Sequence, residues 1–372
     1  MTLPTTMQAV VLTGHGGPDK LELRGDWPMP EFGEDDVLIR VGAAGVNNTD
    51  INTRTGWYSK AVTGDTAASA AGATAADGGW AGVPLAFPRI QGADICGRVV
   101  AAGAAIDRGL IGRRVLVRTM QPAGDSAEGP VTVTVGSEMD GGFADYVAMP
   151  AAMVVPVECG WTDIELASIP CAWSTAENML ERAGVATGDR VLVTGASGGV
   201  GSAAVQLAKR RGAHVSGIAA RSKHDFLKRI GADRLIGREE DLAAAVGHAS
   251  VDVIIDLVGG EEWPVLLACL KRGGRYAVSG AIAGPIVPLD LRDLYLNDWT
   301  LLGATWQPMS VLEKLVRYIE AGEVRPVVSK TYPLSSIREA QADFVAKSYP
   351  GKLVLVPDAL WEDNTPHRQE KP

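Results

Sequence analysis

The stretch that most restricts the fold of this chain runs from Val191-Leu192-Val193-Thr194 through Gly195-Ala196-Ser197-Gly198-Gly199-Val200-Gly201 into Ser202-Ala203-Ala204-Val205-Gln206-Leu207-Ala208. A β-branched apolar run reads as a buried strand, the glycines as a tight turn, and the Ala- and Leu-rich run as a helix. Strand, turn and helix in this order open a βαβ unit, which requires a parallel sheet covered by helices on both faces. In such a turn Gly198 lets the backbone approach a pyrophosphate and Gly201 lets the helix pack against the strand. The helix N-terminus then offers its unpaired N–H groups and positive dipole end to the phosphates. Ala196 replaces the first glycine of the usual pattern, giving A-x-G-x-x-G. Residues 195–201 are expected to hold a dinucleotide; the alternative is a plain strand-to-helix turn.

The rest of the chain divides around this unit. Short apolar or alternating runs at 8–12, 36–43, 97–101, 114–118 and 143–149, separated by Gly and Pro, point to a small β-barrel-like domain. From about residue 163 the rhythm becomes helical at 165–182. It then alternates strands at 190–194, 214–218, 251–257, 274–279 and 299–304 with helices at 200–211, 223–230 and 262–269. A doubly wound Rossmann sheet of about six strands accounts for that series. An amphipathic helix at 310–321 and a strand at 353–356 that rejoins the barrel follow, and the polar residues from 358 onward are expected to be loose. The expected domains are 1–156, with 308–372 returning to it, and 157–307. Residues 59–87, dominated by Ala, Gly, Thr and Asp, cannot make a core of their own and read as a long surface loop.

Which dinucleotide is bound is tested at the second strand, where an NAD site commonly carries an acid for the adenosine ribose. Residues 214–220 contain none, and Arg221-Ser222-Lys223 follows. Two cations and a hydroxyl suit a 2′-phosphate, so NADPH is expected; the competing reading makes Arg221 and Lys223 solvated helix-start charges. The net charge of −9 argues against nucleic acid, and Lys209-Arg210-Arg211 reads as the solvated end of a helix. No basic leader or membrane-length apolar run is present, which makes the cytoplasm the expected location. Cys96, Cys159, Cys171 and Cys269 are scattered without a CxxC pair and read as buried thiols.

Taken with the glycine turn, several further motifs resemble the medium-chain dehydrogenase/reductase superfamily, in its zinc-free quinone-oxidoreductase-like branch. They are Gly45-Val46-Asn47-Asn48-Thr49-Asp50, Gly92-Ala93-Asp94 after Phe87-Pro88, and Asp140-Gly141-Gly142-Phe143-Ala144-Asp145-Tyr146. Ser174-Thr175-Ala176, Gly231-Ala232-Asp233 and Val258-Gly259-Gly260 complete the set. The resemblance implies a GroES-like barrel domain joined to a Rossmann domain, an active site in the cleft between them, and a homodimer or tetramer. The three zinc-ligand positions of the family's alcohol dehydrogenases are Asn47, Ala93 and Cys171 here. Asn and Ala do not replace a thiolate and an imidazole, so no metal is expected. For the nicotinamide end the family implies Thr175, Val258, Gly259, Ser279, Gly280 and Trp306, with Lys352 beside the last strand.

Without a Lewis acid, hydride delivery to an already polarised acceptor is the favoured chemistry, an enone or quinone above all, and the substrate is expected to be a small molecule, apolar or aromatic if Trp57 and Trp306 line the cleft. Asn47 and Asn52 are candidate donors to a developing oxyanion. Tyr58, which also resembles the proton donor proposed for zinc-free enoyl-thioester reductases, is the candidate acid; a packed wall aromatic is the alternative. Thr49 aligns with the family's proton-relay hydroxyl. Three other functions stay open: a zinc-independent alcohol dehydrogenase or carbonyl reductase, an enoyl-thioester reductase, and a non-enzymatic NADPH-binding protein. The 59–87 stretch, directly after Tyr58, either shapes the substrate site or is a plain loop.

Overall fold

The computed structural model describes residues 3–66, 79–80, 84–126 and 129–364. Most of the 59–87 stretch and the tail beyond 364 therefore lie outside the described residues. The chain forms two compact units. One comprises Met1–Ala61, Ser69–Cys171 and Val328–Pro372, the other Val62–Ala68 and Ala172–Val327. The return to the first unit begins at Val328 rather than 308, because helix Ser310–Glu320 belongs to the second unit: Lys314 reaches Glu181 at 2.6 Å and the Arg210 guanidinium lies 3.5 Å over the Tyr318 ring.

The second unit is built on a six-stranded, wholly parallel sheet. Its order is Arg234–Gly237, His214–Ala219, Arg190–Val193, Val251–Asp256, Leu270–Val278 and Thr300–Gly303. Chain order reverses between His214–Ala219 and Val251–Asp256, across the strand Arg190–Val193, and such a switch opens a crevice at the carboxyl ends of the strands. Helix Gly199–Arg210 follows the first strand as expected and buries Ala203, Ala204, Val205, Leu207 and Ala208. The outermost strand Arg234–Gly237 escaped the sequence reading because it is only four residues long and opens on a charged, exposed side chain. The expected helix at 165–182 is two helices, Asp163–Leu166 and Pro170–Arg182. Pro170 lacks the N–H that would continue the first, and is well placed to start the second.

In the first unit, a seven-stranded sheet runs Val154–Pro156, Arg114–Val117, Asp94–Ala102, Asp36–Gly45, Lys352–Val356 and Val328–Pro333, with Tyr146–Pro150 also pairing to Asp36–Gly45. A three-stranded sheet adds Leu21–Pro28, Thr6–Leu12 and Arg89–Ile90. Val37, Ile39, Ile95, Val115, Phe143, Val147, Leu353 and Leu355 close the core between them. The strand Lys352–Val356 lies antiparallel to Asp36–Gly45, with Val354 opposite Gly45 and Leu355 opposite Ala44. That register sets Lys352 beside Val46 and Asn47. Residues 358–364, expected to be loose, form helix Asp358–Asn364, whose first carboxylate accepts from the Ser335 N–H and hydroxyl at 3.1 Å each.

Candidate functional site

The glycine turn has the geometry that a phosphate cradle needs. Gly195 sits at φ +55°, a left-handed conformation that favours glycine, and a Cβ on Gly201 would stand 2.3 Å from the Gly195 carbonyl oxygen. The helix is therefore pressed against the turn as expected. A Cβ on Gly198 would meet nothing closer than 3.5 Å, so the cradle is open at that residue. The first intrahelical bond runs from Ser202 N–H to Gly198 O at 2.9 Å, and no side chain caps the helix start at Gly198. The N–H groups at Gly199, Val200 and Gly201 precede that bond and stand ready for an anion. Ala196 is buried, with Ser197 beside it half-exposed. These residues fit a dinucleotide pyrophosphate.

Asp256, which the sequence reading passed over, holds this end of the sheet together. It is fully buried at the end of Val251–Asp256. Oδ1 accepts from Thr194 Oγ1 at 2.5 Å and from Val258 N–H at 2.9 Å; Oδ2 accepts from Gly259 N–H at 3.0 Å and from the Tyr276 hydroxyl. Thr194 Oγ1 in turn accepts from Leu257 N–H at 2.9 Å. One carboxylate thus fixes Thr194, at the mouth of the glycine turn, to the Val258-Gly259 turn. Ser279 donates its hydroxyl to Ala304 O at 2.7 Å, and a Cβ on Gly280 would stand 2.8 Å from Leu257 O. Asn178 and Arg182 both hold the Trp306 carbonyl at 3.0 Å. Thr175 is buried on helix Pro170–Arg182.

At the far end, Arg221 and Ser222 are exposed and Lys223 is half-buried. Arg221 is paired: its Nε lies 2.8 Å from Glu239 and its terminal nitrogen 3.3 Å from Glu240. Burial, with Arg238 nearby, pushes the Lys223 ammonium below its usual range. Arg238, Glu239 and Glu240 were missed because they follow the unrecognised strand Arg234–Gly237. The basic run is absorbed by acids of its own unit: Lys209 pairs with Asp233 at 2.8 Å, Arg210 with Glu323, and Arg211 with the buried Glu177 at 2.6 Å.

In the first unit, Asn47, Asp94 and Lys352 form one buried cluster. The Lys352 ammonium donates to Asp94 Oδ2 at 2.7 Å, Asn47 Oδ1 at 2.6 Å and Val46 O at 2.9 Å. An ammonium has three protons and these partners use all of them. Lys352, expected as a cofactor contact, is therefore committed to the barrel. Asn47 Nδ2 donates to Asp94 Oδ2 at 2.7 Å and Gly45 O at 3.2 Å, so both amide hydrogens are spent and none is left for an oxyanion. That corrects the expectation for Asn47, and the physical reason is the acceptor pair on either side of it. The other Asp94 oxygen accepts from Cys171 N–H at 2.5 Å. Burial drives the Cys171 thiol well above its ordinary range. Among the described residues no group of three His, Cys, Asp or Glu side chains is arranged to hold a metal ion. A lysine cation already sits on the two oxygens nearest Asn47, so this donor set does not fit one.

Asn47 also starts the helix that carries the remaining candidates. It caps helix Asn48–Thr55 reciprocally with Asp50, whose Oδ2 accepts from Asn47 N–H at 2.7 Å. Thr49 and Asn52 project from this helix near the Tyr58 hydroxyl, and both favour its ionised form against the burial that raises its pKa. Asn52 Oδ1 accepts from Asn48 Nδ2 at 3.2 Å. Tyr58 stacks on Trp80, ring centres 6.3 Å apart and 3° from parallel, and meets Trp57 edge-on at 5.8 Å. Thr49, Asn52 and Tyr58 are brought together, and Asn47 supports them from below.

Two outcomes follow from the cluster. Lys352→Met leaves Asp94 buried and unpaired, and thermal or urea unfolding should register a loss of about 3–5 kcal/mol; a further Asp94→Asn change should recover part of it. Desolvation, the largest cause, raises the Asp50 carboxyl to about 7 against the bonds from Asn47 and Gly92. A folded-state pKa above the unfolded one gives a contribution that is full below about pH 4 and lost as pH rises through about 7. The fall in urea midpoint between those pH values should therefore shrink in Asp50→Asn, and matching pH profiles for the two proteins would count against it.

The family models agree with this architecture. Residues 33–159 match the alcohol dehydrogenase GroES-like domain and residues 199–321 the zinc-binding dehydrogenase domain. The chain is 28% identical over 360 residues to the NADPH-dependent alkenal/one oxidoreductase, chloroplastic, of Arabidopsis thaliana, covering 96% of this chain and 81% of the relative. It is 27% identical over 365 residues to the quinone oxidoreductase of Homo sapiens, covering 94% and 98%. The crystal structure of a putative alcohol dehydrogenase from Sinorhizobium meliloti 1021 superposes with a TM-score of 0.85 at 43% identity, covering 96% of this chain and 98% of that one. With its doubly wound sheet, open glycine turn and barrel, the chain belongs to the medium-chain dehydrogenase/reductase superfamily, in its quinone-oxidoreductase-like branch, and is a nicotinamide-dependent oxidoreductase.

Proposed function

We propose that this protein is an NADPH-dependent reductase of an activated double bond or a quinone, that it works without a metal, and that Tyr58 supplies the proton. The observation that carries the reading is the Tyr58 phenol, set beside the Thr49 and Asn52 side chains, which favour its ionised form. When bound, the dinucleotide supplies the hydride. The chain's own task is the proton that the reduced acceptor must take up. Burial raises the phenol's pKa, so the group is protonated at neutral pH. The phenol has its own proton to give, and Thr49 and Asn52 stabilise the phenolate left behind. Trp57 and Trp80 around it suit a flat or apolar acceptor. The alkenal/one and quinone reductases among the relatives support this substrate class, and Arg221 and Lys223 support NADPH. The Lys352 cation on Asn47 and Asp94 supports metal-free chemistry.

Tyr58→Phe should lower kcat by about 10²-fold or more on an enone or quinone with NADPH, with little change in cofactor binding. An unchanged kcat would remove Tyr58 from the mechanism. The resemblance to a protein titled alcohol dehydrogenase favours a second reading, carbonyl reduction, which predicts oxidation of saturated alcohols with NADP⁺ in the same assay panel.

We also assign self-association to the second unit. Ile286, Leu291, Tyr295 and Leu296 are 60–72% exposed, and strand Thr300–Gly303 is the outer strand of its sheet. An apolar patch beside an unpaired sheet edge suits a second copy of the chain. Leu291→Glu with Tyr295→Glu should shift the sedimentation coefficient toward that of a single chain; a wild-type monomer would end the assignment.

A further inference from the structure

We propose that Glu239 and Glu240 set how strongly this protein prefers a phosphorylated dinucleotide, by competing with the 2′-phosphate of the adenosine ribose for Arg221. The inference rests on the NADPH reading above.

The sheet places all the groups concerned at one end. His214–Ala219 and Arg234–Gly237 are parallel neighbours with Ala219 opposite Gly237, and Arg238 N–H bonds Ala219 O at 3.0 Å. Residues 221–223 and 238–240 therefore leave the carboxyl ends of adjacent strands together. Three cations, Arg221, Lys223 and Arg238, face two carboxylates there. Glu239 and Glu240 take the guanidinium at 2.8 and 3.3 Å, the edge-on recognition that the same fork gives a phosphate. A 2′-phosphate cannot take Arg221 without replacing them, and their charge repels it meanwhile.

The two acids differ. Glu240 is tethered, its Oε1 also accepting from Gly237 N–H at 2.9 Å, and it is the less exposed at 34% against 50% for Glu239. Arg221 is 68% exposed, so each pair is worth little and a strongly charged ligand displaces it. The arrangement weakens phosphate recognition without abolishing it, and a dinucleotide lacking the phosphate meets no such competition.

The test uses the full-length enzyme with NADPH and NADH against one good acceptor. Glu239→Gln with Glu240→Gln removes the charges while keeping hydrogen-bond acceptors of the same shape. KM for NADPH should fall by about five- to tenfold, the weight of two exposed ion pairs. KM for NADH and both kcat values should stay within about twofold, since neither group is assigned to the reaction, and the NADPH dissociation constant by fluorescence titration should move with KM. Arg221→Ala tests the underlying reading separately, because it should raise KM for NADPH alone. If Arg221→Ala does so and the double Gln variant changes nothing, the acids are spectators and this inference fails while the NADPH reading stands. A rise in KM for NADH in the double variant would instead make them ribose ligands, and would also overturn the proposal. A wild-type preference for NADH that is indifferent to Arg221→Ala would defeat both together.

Discussion

An ammonium and a carboxylate buried against each other set the terms for the barrel unit. Lys352 and Asp94 are 3% and 0% exposed and 2.7 Å apart. Taking two charges out of water costs several kcal/mol for each, and attraction alone rarely returns it; the remaining lone pairs and protons must be satisfied as well. Here they are. The ammonium ends on three oxygens, and the carboxylate divides its own between that ammonium, the Asn47 amide and the Cys171 N–H. The pair also constrains strand register. Side chains on a strand alternate between faces, so a one-residue slip of Lys352–Val356 against Asp36–Gly45 would turn Lys352 away from Asp94 and leave both charges stranded. A pairing that apolar side chains alone would tolerate at several offsets is thereby held at one.

The Rossmann unit solves the same problem with neutral donors. Asp256 has no ion-pair partner among the described residues and is met by two backbone N–H groups and two hydroxyls. Fixed dipoles suffice to keep a buried carboxylate, and they leave no compensating cation near the cofactor cradle. Arg221, Lys223 and Arg238 stand instead past the ends of the neighbouring strands, with Arg221 exposed and paired to Glu239 and Glu240.

Much of this was legible in the residues. The strand, turn and helix at 190–210 followed from β-branched and alanine-rich runs separated by glycines. The failures share one cause, which is that side-chain partners distant in sequence do not appear in a local pattern. Asn47 looked like a free donor because its acceptor, Asp94, is 47 residues away. Lys352 was a candidate cofactor contact because the resemblance implied it, and its acceptors Asn47 and Asp94 lie 305 and 258 residues away. Arg221 looked unopposed because Glu239 and Glu240 follow a strand too short and too charged to be recognised. Helix Asp358–Asn364 is polar in composition, and its docking depends on Ser335.

The two corrections change what the site residues are asked to do. With its amide spent on Asp94 and Gly45, Asn47 becomes the anchor of helix Asn48–Thr55, and the oxyanion role passes to groups that still have a donor to give. Asn52 is one of these, and it lies beside Tyr58, whose ionised form it favours. In the proposed reaction the helix therefore acts on the acceptor through the phenol. Thr49 and Asn52 lower the cost of forming phenolate at a buried position, and burial keeps the group protonated until it is needed. A metal would polarise the acceptor before hydride arrives; a phenol beside Thr49 and Asn52 answers the charge as it develops. Under the proposed reaction, acceptors already polarised by conjugation suit the second arrangement.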